Sequence, residues 1–308
     1  MAWFAEHQRN LPWRATKDPW AILLSEILLQ QTQVSRGILF WQRLSSRYPT
    51  VIEMASSTEE EVLHLWQGAG YYSRARRLFQ LSKLVCESSE HGGFDGVLPT
   101  DSKTLKTLPG IGPYTAAAVA SIARGEAVAC VDGNIRRVMA RQTANENPSS
   151  NLVQEWADQS LWKADAGNWN QALMELGATL CTPKRPDCAA CPVQSSCLGM
   201  AEPTRYPAPK VRTKKRLDLM CILRVDENGL PELVQRGSTG ILAGMWGPVM
   251  GESLDVDSLT YLGEVHHVLS HRDMHIRVWK GKVETGVDPK SVPLSSLDVK
   301  ILRLGDID

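Results

Sequence analysis

The stretch Leu108-Pro-Gly-Ile-Gly-Pro-Tyr114 joins two segments whose sequence favours helix. A short segment begins near Thr100-Asp101, and apolar residues recur at helical spacing from Thr115 to Arg124. Glycine adopts backbone conformations that other residues avoid, so the Gly-x-Gly pair favours a tight turn. We therefore predict a helix–hairpin–helix motif over about residues 100–125.

This hairpin is suited to binding a phosphate. Gly110 and Gly112 leave room for close backbone approach, and the free amides at the start of the next helix can donate to a phosphate oxygen. A lone Gly-x-Gly turn is more often an ordinary helix connection. Here Val131-Asp-Gly-Asn134 follows about twenty residues later at another helix start, which places a carboxylate near the hairpin.

The first 200 residues read as all-helical, and the remainder as strand-rich. Helical spacing occurs over residues 20–31, 59–66, 73–86, 115–124, 134–143 and 171–180, and short β-branched runs occur over 219–225, 232–235, 262–268 and 276–283. Between them, Pro203 to Arg216 holds three prolines and six Lys or Arg, which is typical of a basic linker. We predict a helical domain over 1–209 and a smaller α+β domain over 210–308.

The charge is balanced overall but not along the chain. Residues 1–216 carry 25 Lys and Arg against 20 Asp and Glu, whereas residues 217–308 carry 9 against 14. The first part is therefore the better phosphate-binding candidate. No apolar run reaches the length of a membrane span and residues 1–14 lack a signal-peptide core, so we expect a cytoplasmic protein without a membrane partner.

Four of the seven cysteines crowd into one loop, with the spacing C-x6-C-x2-C-x5-C from Cys181 through Cys188 and Cys191 to Cys197. The odd total argues against a disulfide framework, and the density predicts a metal centre in a reducing compartment. An iron–sulfur cluster and a structural zinc ion are both compatible with four thiolates. The unequal outer spacings favour iron–sulfur.

Six segments together resemble the MutY-type adenine DNA glycosylases, across nearly the whole chain: Leu11–Arg14, Ser25–Gln33, Gly70–Arg74, Leu108–Tyr114, Val131–Asn134 and the cysteine loop. The resemblance implies a mainly α fold, with a six-helix barrel, a subdomain holding a 4Fe-4S cluster and a Nudix-like C-terminal domain. It implies a monomeric, monofunctional base-excision hydrolase. The implied partner is double-stranded DNA with adenine opposite 8-oxoguanine or guanine.

The resemblance also implies two catalytic carboxyl groups. Glu26 would protonate adenine, and its helical neighbours Ile22, Leu23 and Leu29 are apolar, which should raise its pKa toward roughly 6 to 7. Asp132 would stabilise the oxocarbenium-like sugar or trap it covalently. An Asp before Gly-Asn is also a good helix N-cap, and both roles are compatible.

Further site residues follow from the same resemblance. Tyr114 and Asn134 would arrange the acids and water, and Arg14 and Glu175 would line the adenine pocket. Sequence alone would place Arg14 in a surface ion pair and Glu175 on an exposed helix face. Residues implied to contact DNA are Gln30, Gln31, Thr32, Gly70, Tyr71, Gly110 and Gly112, of which Gln30, Gln31 and Tyr71 would fill the space left by the flipped base.

In the C-terminal domain, Leu269-Ser-His271 resembles the family's Phe-Ser-His loop, in which Ser270 and His271 would sense the oxidised guanine. Leu269 departs from the pattern, and an aliphatic side chain is expected to insert less well beside the lesion than a ring. No Glu-rich Nudix box is present, so nucleotide hydrolysis is not expected.

Two other functions are compatible with parts of the sequence. An endonuclease III-like glycosylase and lyase would share the helices, the aspartate and the cluster, but needs a hairpin lysine as Schiff-base nucleophile where this chain has Tyr114. A DNA-binding or redox-sensing protein without catalysis would not need both Glu26 and Asp132. The sequence favours the glycosylase.

Overall fold

The computed structural model describes residues 1–209 and 213–307 of the chain. The α-helices in these ranges are α1 Ala2–His7, α2 Pro19–Leu29, α3 Val34–Arg47, α4 Val51–Ala55, α5 Glu59–Trp66, α6 Ser73–Cys86, α7 Ser102–Leu105, α8 Pro113–Arg124, α9 Gly133–Gln142, α10 Ser150–Ser160, α11 Ala166–Thr179 and α12 Ser296–Leu304. The strands are β1 Lys215–Val225, β2 Val234–Gln235, β3 Trp246–Gly247, β4 Val249–Gly251, β5 Thr260–Val268 and β6 Arg272–Lys282. The predicted succession of helices followed by strands is confirmed.

Contacts group the chain into two compact units. The first comprises Met1–Ala55 with Gln80–Lys210, and the second comprises Ser56–Phe79 with Val211–Asp308. Tyr72, just before α6, and Arg76 in α6 donate hydrogen bonds to the carbonyl oxygens of Leu294 and Ser238, which ties residues 56–79 to the rest of the second unit. A division into 1–209 and 210–308 remains a prediction, since residues 210–212 lie outside the described ranges.

Short polar residues start the helices that carry the site. Asp18 caps α2 by accepting hydrogen bonds from the amides of Trp20 and Ala21, and Pro19 occupies the first helical position. Asp132 caps α9 and Asp165 caps α11 in the same way. These caps fix where each helix begins, and therefore which residues face the interior.

Helices α2, α8, α9 and α11 pack together to form the core of the first unit. α11 approaches its neighbours closely at two glycines: a Cβ at Gly167 would lie 2.6 Å from the Ser121 oxygen, and one at Gly177 would lie 2.5 Å from the Asn134 Cβ. Larger side chains would push the helices apart. The crossing at Gly177 sets the distance between α11 and the start of α9.

The predicted hairpin is present between α7 and α8. Gly110 has a φ of +80°, a conformation that glycine adopts at little cost. Gly112 instead is extended and forms the N-cap of α8, and a Cβ there would meet nothing within 4 Å. No steric contact within the protein therefore requires glycine at position 112. The missing side chain leaves the backbone amides at the start of α8 accessible to a ligand.

The second unit contains a four-stranded sheet in the order β4-β1-β6-β5. β1 and β6 are parallel, and the two edge strands are antiparallel to them. α12 packs against β5, and its buried Asp298 pairs with Arg236 at 2.5 Å. Together with the sheet, α12 confirms the predicted α+β character of this region.

The linker prediction is only partly right. Pro203–Arg205 forms a 3₁₀ helix, in which Arg205 pairs with Glu146 and Glu202, and β1 already begins at Lys215. Ion pairs and strand pairing therefore order both ends of a segment that composition alone marks as irregular. None of the helices within 1–209 and 213–307 is both long and apolar enough to cross a membrane.

Candidate active site

A cavity of about 860 Å³ opens among α2, α8, α9 and α11, which is within the usual size range for ligand sites. The predicted catalytic and adenine-pocket residues all line it. They are Arg14, Glu26, Tyr114, Asp132, Asn134 and Glu175, joined by Gln30, Gln31 and Thr32. Residues that are far apart in sequence are thus brought to one concave surface.

Glu26 is a buried carboxyl group at the centre of this cavity. Its side chain accepts a hydrogen bond of 2.6 Å from the Tyr114 hydroxyl. Burial, helped by the negative charge of Asp132, raises the pKa of Glu26 to about 7, although the Tyr114 hydrogen bond and Arg14 oppose the shift. This agrees with the sequence-based expectation and gives the cavity a group that is half protonated at neutral pH.

Asp132 combines a helix cap with a second buried carboxylate. One oxygen accepts from the Ile135 amide at 2.7 Å and the other from the Asn134 side chain at 2.7 Å. Burial raises the pKa of Asp132, and these hydrogen bonds, with the charge of Arg137, oppose the rise. The same contacts that begin α9 therefore orient the carboxylate and stabilise its anionic form.

Arg137 is a site residue that the sequence analysis missed. Its guanidinium donates to the Asn134 side-chain oxygen at 2.9 Å, to the Gly177 carbonyl at 2.6 Å and to the Cys181 carbonyl at 2.8 Å. With its oxygen engaged, the Asn134 amide nitrogen is turned toward Asp132. The only sequence signal is an arginine one helical turn after Asn134, which is too common to single out.

Glu175 is deeply buried and paired with two arginines, so it is not an exposed helix residue. Arg14 donates to one oxygen at 2.8 Å, and Arg9 donates to both oxygens through its backbone amide and its side chain at 2.8–2.9 Å. These hydrogen bonds outweigh the effect of burial, so the pKa of Glu175 falls to about 2. Arg9 is a second site residue that the sequence analysis missed.

The residues expected to contact DNA differ in their surroundings. Gln30 donates to the Thr115 hydroxyl at 3.1 Å. Gln31 and Tyr71 are exposed non-glycine residues with φ of +65° and +51°, a conformation that is unusual for such residues. Gly70 precedes Tyr71 with a φ of +75°.

Comparison with known proteins identifies the family of this chain. The model of the HhH-GPD superfamily of base excision DNA repair proteins matches residues 24–161. The adenine DNA glycosylase of Rattus norvegicus is 34% identical over 374 aligned residues, covering 96% of this chain and 71% of that protein. That of Homo sapiens is 44% identical over 211 residues, covering 64% of this chain and 38% of the human protein. The chain belongs to the adenine DNA glycosylase family.

Solved structures support the fold of a DNA glycosylase. A thermostable thymine-DNA glycosylase matches with a TM-score of 0.60 and 28% identity, covering 65% of this chain and 93% of that one. A non-covalent endonuclease III–DNA complex matches with a TM-score of 0.57 and 22% identity, covering 67% of this chain and 93% of that one. The mainly helical glycosylase fold is confirmed, and the chain is an enzyme of base excision repair.

In this glycosylase the four loop cysteines line a common small cavity beside α9 and α11. Arg141, 2% exposed, donates to the Cys181 sulfur at 3.2 Å and to the Thr182 carbonyl at 2.8 Å. The Cys197 sulfur lies 3.5 Å from the Arg141 carbonyl oxygen. A buried arginine suits an anionic group at this position, because it offsets the negative charge of thiolates.

The loop that precedes β6 holds the residues predicted to recognise the lesion. The Ser270 hydroxyl is hydrogen-bonded to the Tyr71 hydroxyl, so a predicted lesion-sensing residue meets a predicted wedge residue within the second unit. His271 is exposed, while Leu269 packs against the core of that unit. Leu269 is thus oriented toward the protein interior, which explains how an aliphatic residue is accommodated there.

Proposed function

We propose that this glycosylase removes adenine mispaired with 8-oxoguanine, and with guanine, from double-stranded DNA as a monofunctional hydrolase. The observation that carries the proposal is the buried Glu26, with a pKa of about 7, hydrogen-bonded to Tyr114 in the same cavity as Asp132. Adenine is a poor leaving group until a ring nitrogen is protonated. A proton donor with a pKa near the working pH is the group that this reaction needs.

Glu26 acts as the general acid. Its burial raises the pKa to about 7, so a large fraction of the carboxyl groups keep their proton at neutral pH, where an exposed glutamate would be ionised. Transfer of this proton to the flipped adenine weakens the glycosidic bond, and the base departs as neutral adenine. A positioned acid of this kind contributes about 10²- to 10⁴-fold to the rate.

Asp132 stabilises the positive charge that develops on the sugar as the base leaves. Its carboxylate is held by Asn134 and the Ile135 amide, so it needs little reorganisation during the reaction. The same carboxylate can trap the sugar covalently before water attacks, as in retaining glycosidases. Arg137 acts as a positioning residue, because it fixes the Asn134 amide that orients Asp132.

The absence of a lysine in the cavity supports hydrolysis without lyase chemistry. A lyase of this fold needs an amine to form a Schiff base with the sugar. None of the residues that line the cavity in the described ranges is a lysine, and the hairpin position is occupied by Tyr114. Water is therefore the acceptor of the sugar.

Arg14 and Glu175 form the adenine pocket. Both Glu175 oxygens already receive two hydrogen bonds each, which fills the acceptor capacity of a carboxylate. An adenine amino group can bind Glu175 only by displacing a donor. Arg9 is the donor that can withdraw, since its side chain is 37% exposed against 13% for Arg14.

DNA contacts follow from the accessible backbone and exposed side chains. The amides beyond Gly110 and Gly112 bind a phosphate, which fixes the register without reading the sequence. Thr32 follows Gln31 and Gly70 precedes Tyr71 in the sequence, and Gln31 and Tyr71 enter the base stack of the DNA. Gln30, Gln31 and Tyr71 fill the space left by the extruded base, whose flipping costs a few kcal/mol.

Cys181, Cys188, Cys191 and Cys197 hold a 4Fe-4S cluster. The four cysteines line one small cavity, and Arg141 donates to the Cys181 sulfur at 3.2 Å, which suits a group that is bound by several thiolates. The unequal outer spacings of the cysteines favour iron–sulfur over zinc. When bound, the cluster supplies a structural cross-link for this loop.

We expect the protein purified under anaerobic conditions to be coloured, with a broad absorption band in the blue and four iron atoms per chain. Arg141→Met should weaken the cluster, because the guanidinium that offsets the thiolate charge is lost. Iron content and the rate of bleaching by a chelator measure this. A colourless wild-type protein with one zinc ion per chain would refute the cluster assignment.

Ser270 and His271 in the Nudix-like domain recognise 8-oxoguanine. The proposal is tested by single-turnover release of adenine from duplexes with adenine opposite 8-oxoguanine, guanine or thymine, beside a thymine-glycol duplex. We expect the first duplex to react fastest and the last to remain intact. Combined Ser270→Ala and His271→Ala changes should remove the preference for 8-oxoguanine over guanine, whereas release from neither adenine mispair would exclude the function.

Tyr114→Phe should shift the alkaline limb of the pH–rate profile to higher pH. The Tyr114 hydroxyl stabilises the Glu26 carboxylate, so its removal raises the pKa of Glu26 above about 7 and keeps the proton to higher pH. Tyr48→Phe is the matched control, because it also removes a buried hydroxyl, and one that makes no hydrogen bond within the described structure. A limb unchanged in the Tyr114 variant would show that this hydrogen bond does not tune Glu26.

A further inference from the structure

Three potential metal ligands meet on one face of the sheet in the second unit. His266 in β5 and His275 in β6 are direct cross-strand partners. Asp273 precedes His275 by two residues, so its side chain leaves the same face of β6. No part of the proposed glycosylase chemistry uses this trio.

The ligand atoms of the three side chains lie close enough to one another to bind a single ion. One Asp273 oxygen lies 2.5 Å from His266 Nε2, and the other lies 3.7 Å from His275 Nε2. The two imidazole rings are 4.7 Å apart between centroids. One ligand atom from each residue lies within 4.8 Å of the others, and no other trio of such residues in the described ranges meets this condition.

We propose that His266, Asp273 and His275 form a binding site for a divalent transition-metal ion of the zinc type. Two imidazoles and one carboxylate are a ligand set that suits zinc, copper and nickel far better than magnesium or calcium. The three side chains are 31–56% exposed, so an ion can enter directly from solvent and complete its coordination with water.

Further carboxylates flank the three ligands on the neighbouring strands. Asp218 in β1 is in register with His275, and Arg216 is in register with Asp273. Glu264 in β5 is opposite Arg277 in β6. With Asp273, three carboxylates and two arginines occupy these positions, and the Lys300 ammonium group donates to the His266 carbonyl oxygen at 3.3 Å. Asp218 pairs with Arg216 at 2.8 Å and is in register with His275, so it is a further carboxylate ligand should that pair open.

A metal ion here would join the two strands that lead into the loop from Leu269 to His271. Val268 and Asp273 are the last paired residues before that loop. An ion bound by His266 in β5 and by Asp273 and His275 in β6 restrains the loop more firmly than the His266–Asp273 hydrogen bond alone, because three side chains then share one ion. The site is therefore a structural clip at the loop end of the β5–β6 hairpin.

Zinc binding by the full-length protein, with its cysteine site loaded as isolated, tests the proposal. Equilibrium dialysis against Zn²⁺ should show one site that His266→Asn or His275→Asn weakens by at least about tenfold, with Asp273→Asn also weakening it. His91→Asn, a change at an exposed histidine of the first unit, is the matched control and should bind zinc as the wild type does. Zinc uptake that is the same in all variants would overturn the proposal, since the ion would then reside elsewhere.

A measurement on the unaltered protein guards against loss of folding in the variants. Bound Cu²⁺ should give an electron paramagnetic resonance spectrum with hyperfine splitting from two imidazole nitrogens. Far-ultraviolet circular dichroism of each variant shows whether its fold persists. A copper spectrum without coupling to two nitrogens, or with the same coupling in both histidine variants, would contradict the assignment.

Discussion

Replacing Asp132 by asparagine should lower the single-turnover rate of adenine release by roughly 10³-fold while leaving the fold and DNA affinity intact. The change removes the negative charge that faces the developing sugar cation. Asparagine caps helices as well as aspartate does, so its amide oxygen can still accept from the Ile135 amide and start α9. Rate, duplex affinity and thermal unfolding are measured on the same preparation.

The chain offers a closely matched control at Asp165. This residue caps α11 and also accepts a hydrogen bond from an asparagine side chain, that of Asn168, as Asp132 does from Asn134. Asp165→Asn therefore repeats the chemical change outside the cavity and should leave the rate of adenine release near normal. Equal losses in the two variants would mean that cap integrity, and not the Asp132 charge, limits the reaction.

Glu26→Gln should be similarly inactive, since the amide has no proton to give. In the wild type, the rate should fall as the pH rises through about 7, because the carboxyl group is then ionised. Single-turnover rates between pH 5 and 9 measure this limb. A wild-type rate that is constant up to pH 9, or a Gln variant within tenfold of wild type, would remove Glu26 from the mechanism.

The same substitution should stabilise the protein at high pH. Because folding raises the pKa of Glu26 from 4.5 to about 7, burial of its carboxylate lowers the free energy of unfolding above pH 7, by roughly 3 kcal/mol. The stabilisation of the folded protein by protonated Glu26 is fully present below pH 4.5 and is lost as the pH rises through about 7. Glu26→Gln should therefore unfold at a higher temperature than wild type at pH 8, with a smaller difference at pH 5.

Much of the helical framework was predictable because it depends on local patterns. The apolar spacing and the Asp18-Pro19 start signal predict α2, and the structure confirms it over Pro19–Leu29. The helix over residues 59–66 is confirmed with the same bounds. By contrast α1, α3, α10 and α12 were not predicted, although α3, α10 and α12 are amphipathic.

The candidate site was predictable where a motif carries the chemistry. The resemblance to the MutY-type glycosylases singled out Glu26 and Asp132, and the apolar helical neighbours of Glu26 supported its role independently. Arg9 could not be selected, because its partner Glu175 lies 166 residues away and nothing near Arg9 signals the pairing. Ion pairs between distant residues become visible only when the helices that carry them are packed.

The sequence by itself determined several helices, among them α2 and α5, and the crowding of four cysteines in one loop, because these depend on spacing over a few turns. Tertiary structure decided the contacts that set the pKa of Glu26, since its burial and its hydrogen bond from Tyr114 require α2 and α8 to pack together. It also decided the register that places His266 opposite His275. The physical reason is the same in each case: charge and solvation energies depend on distances through space, which spacing along the chain does not specify.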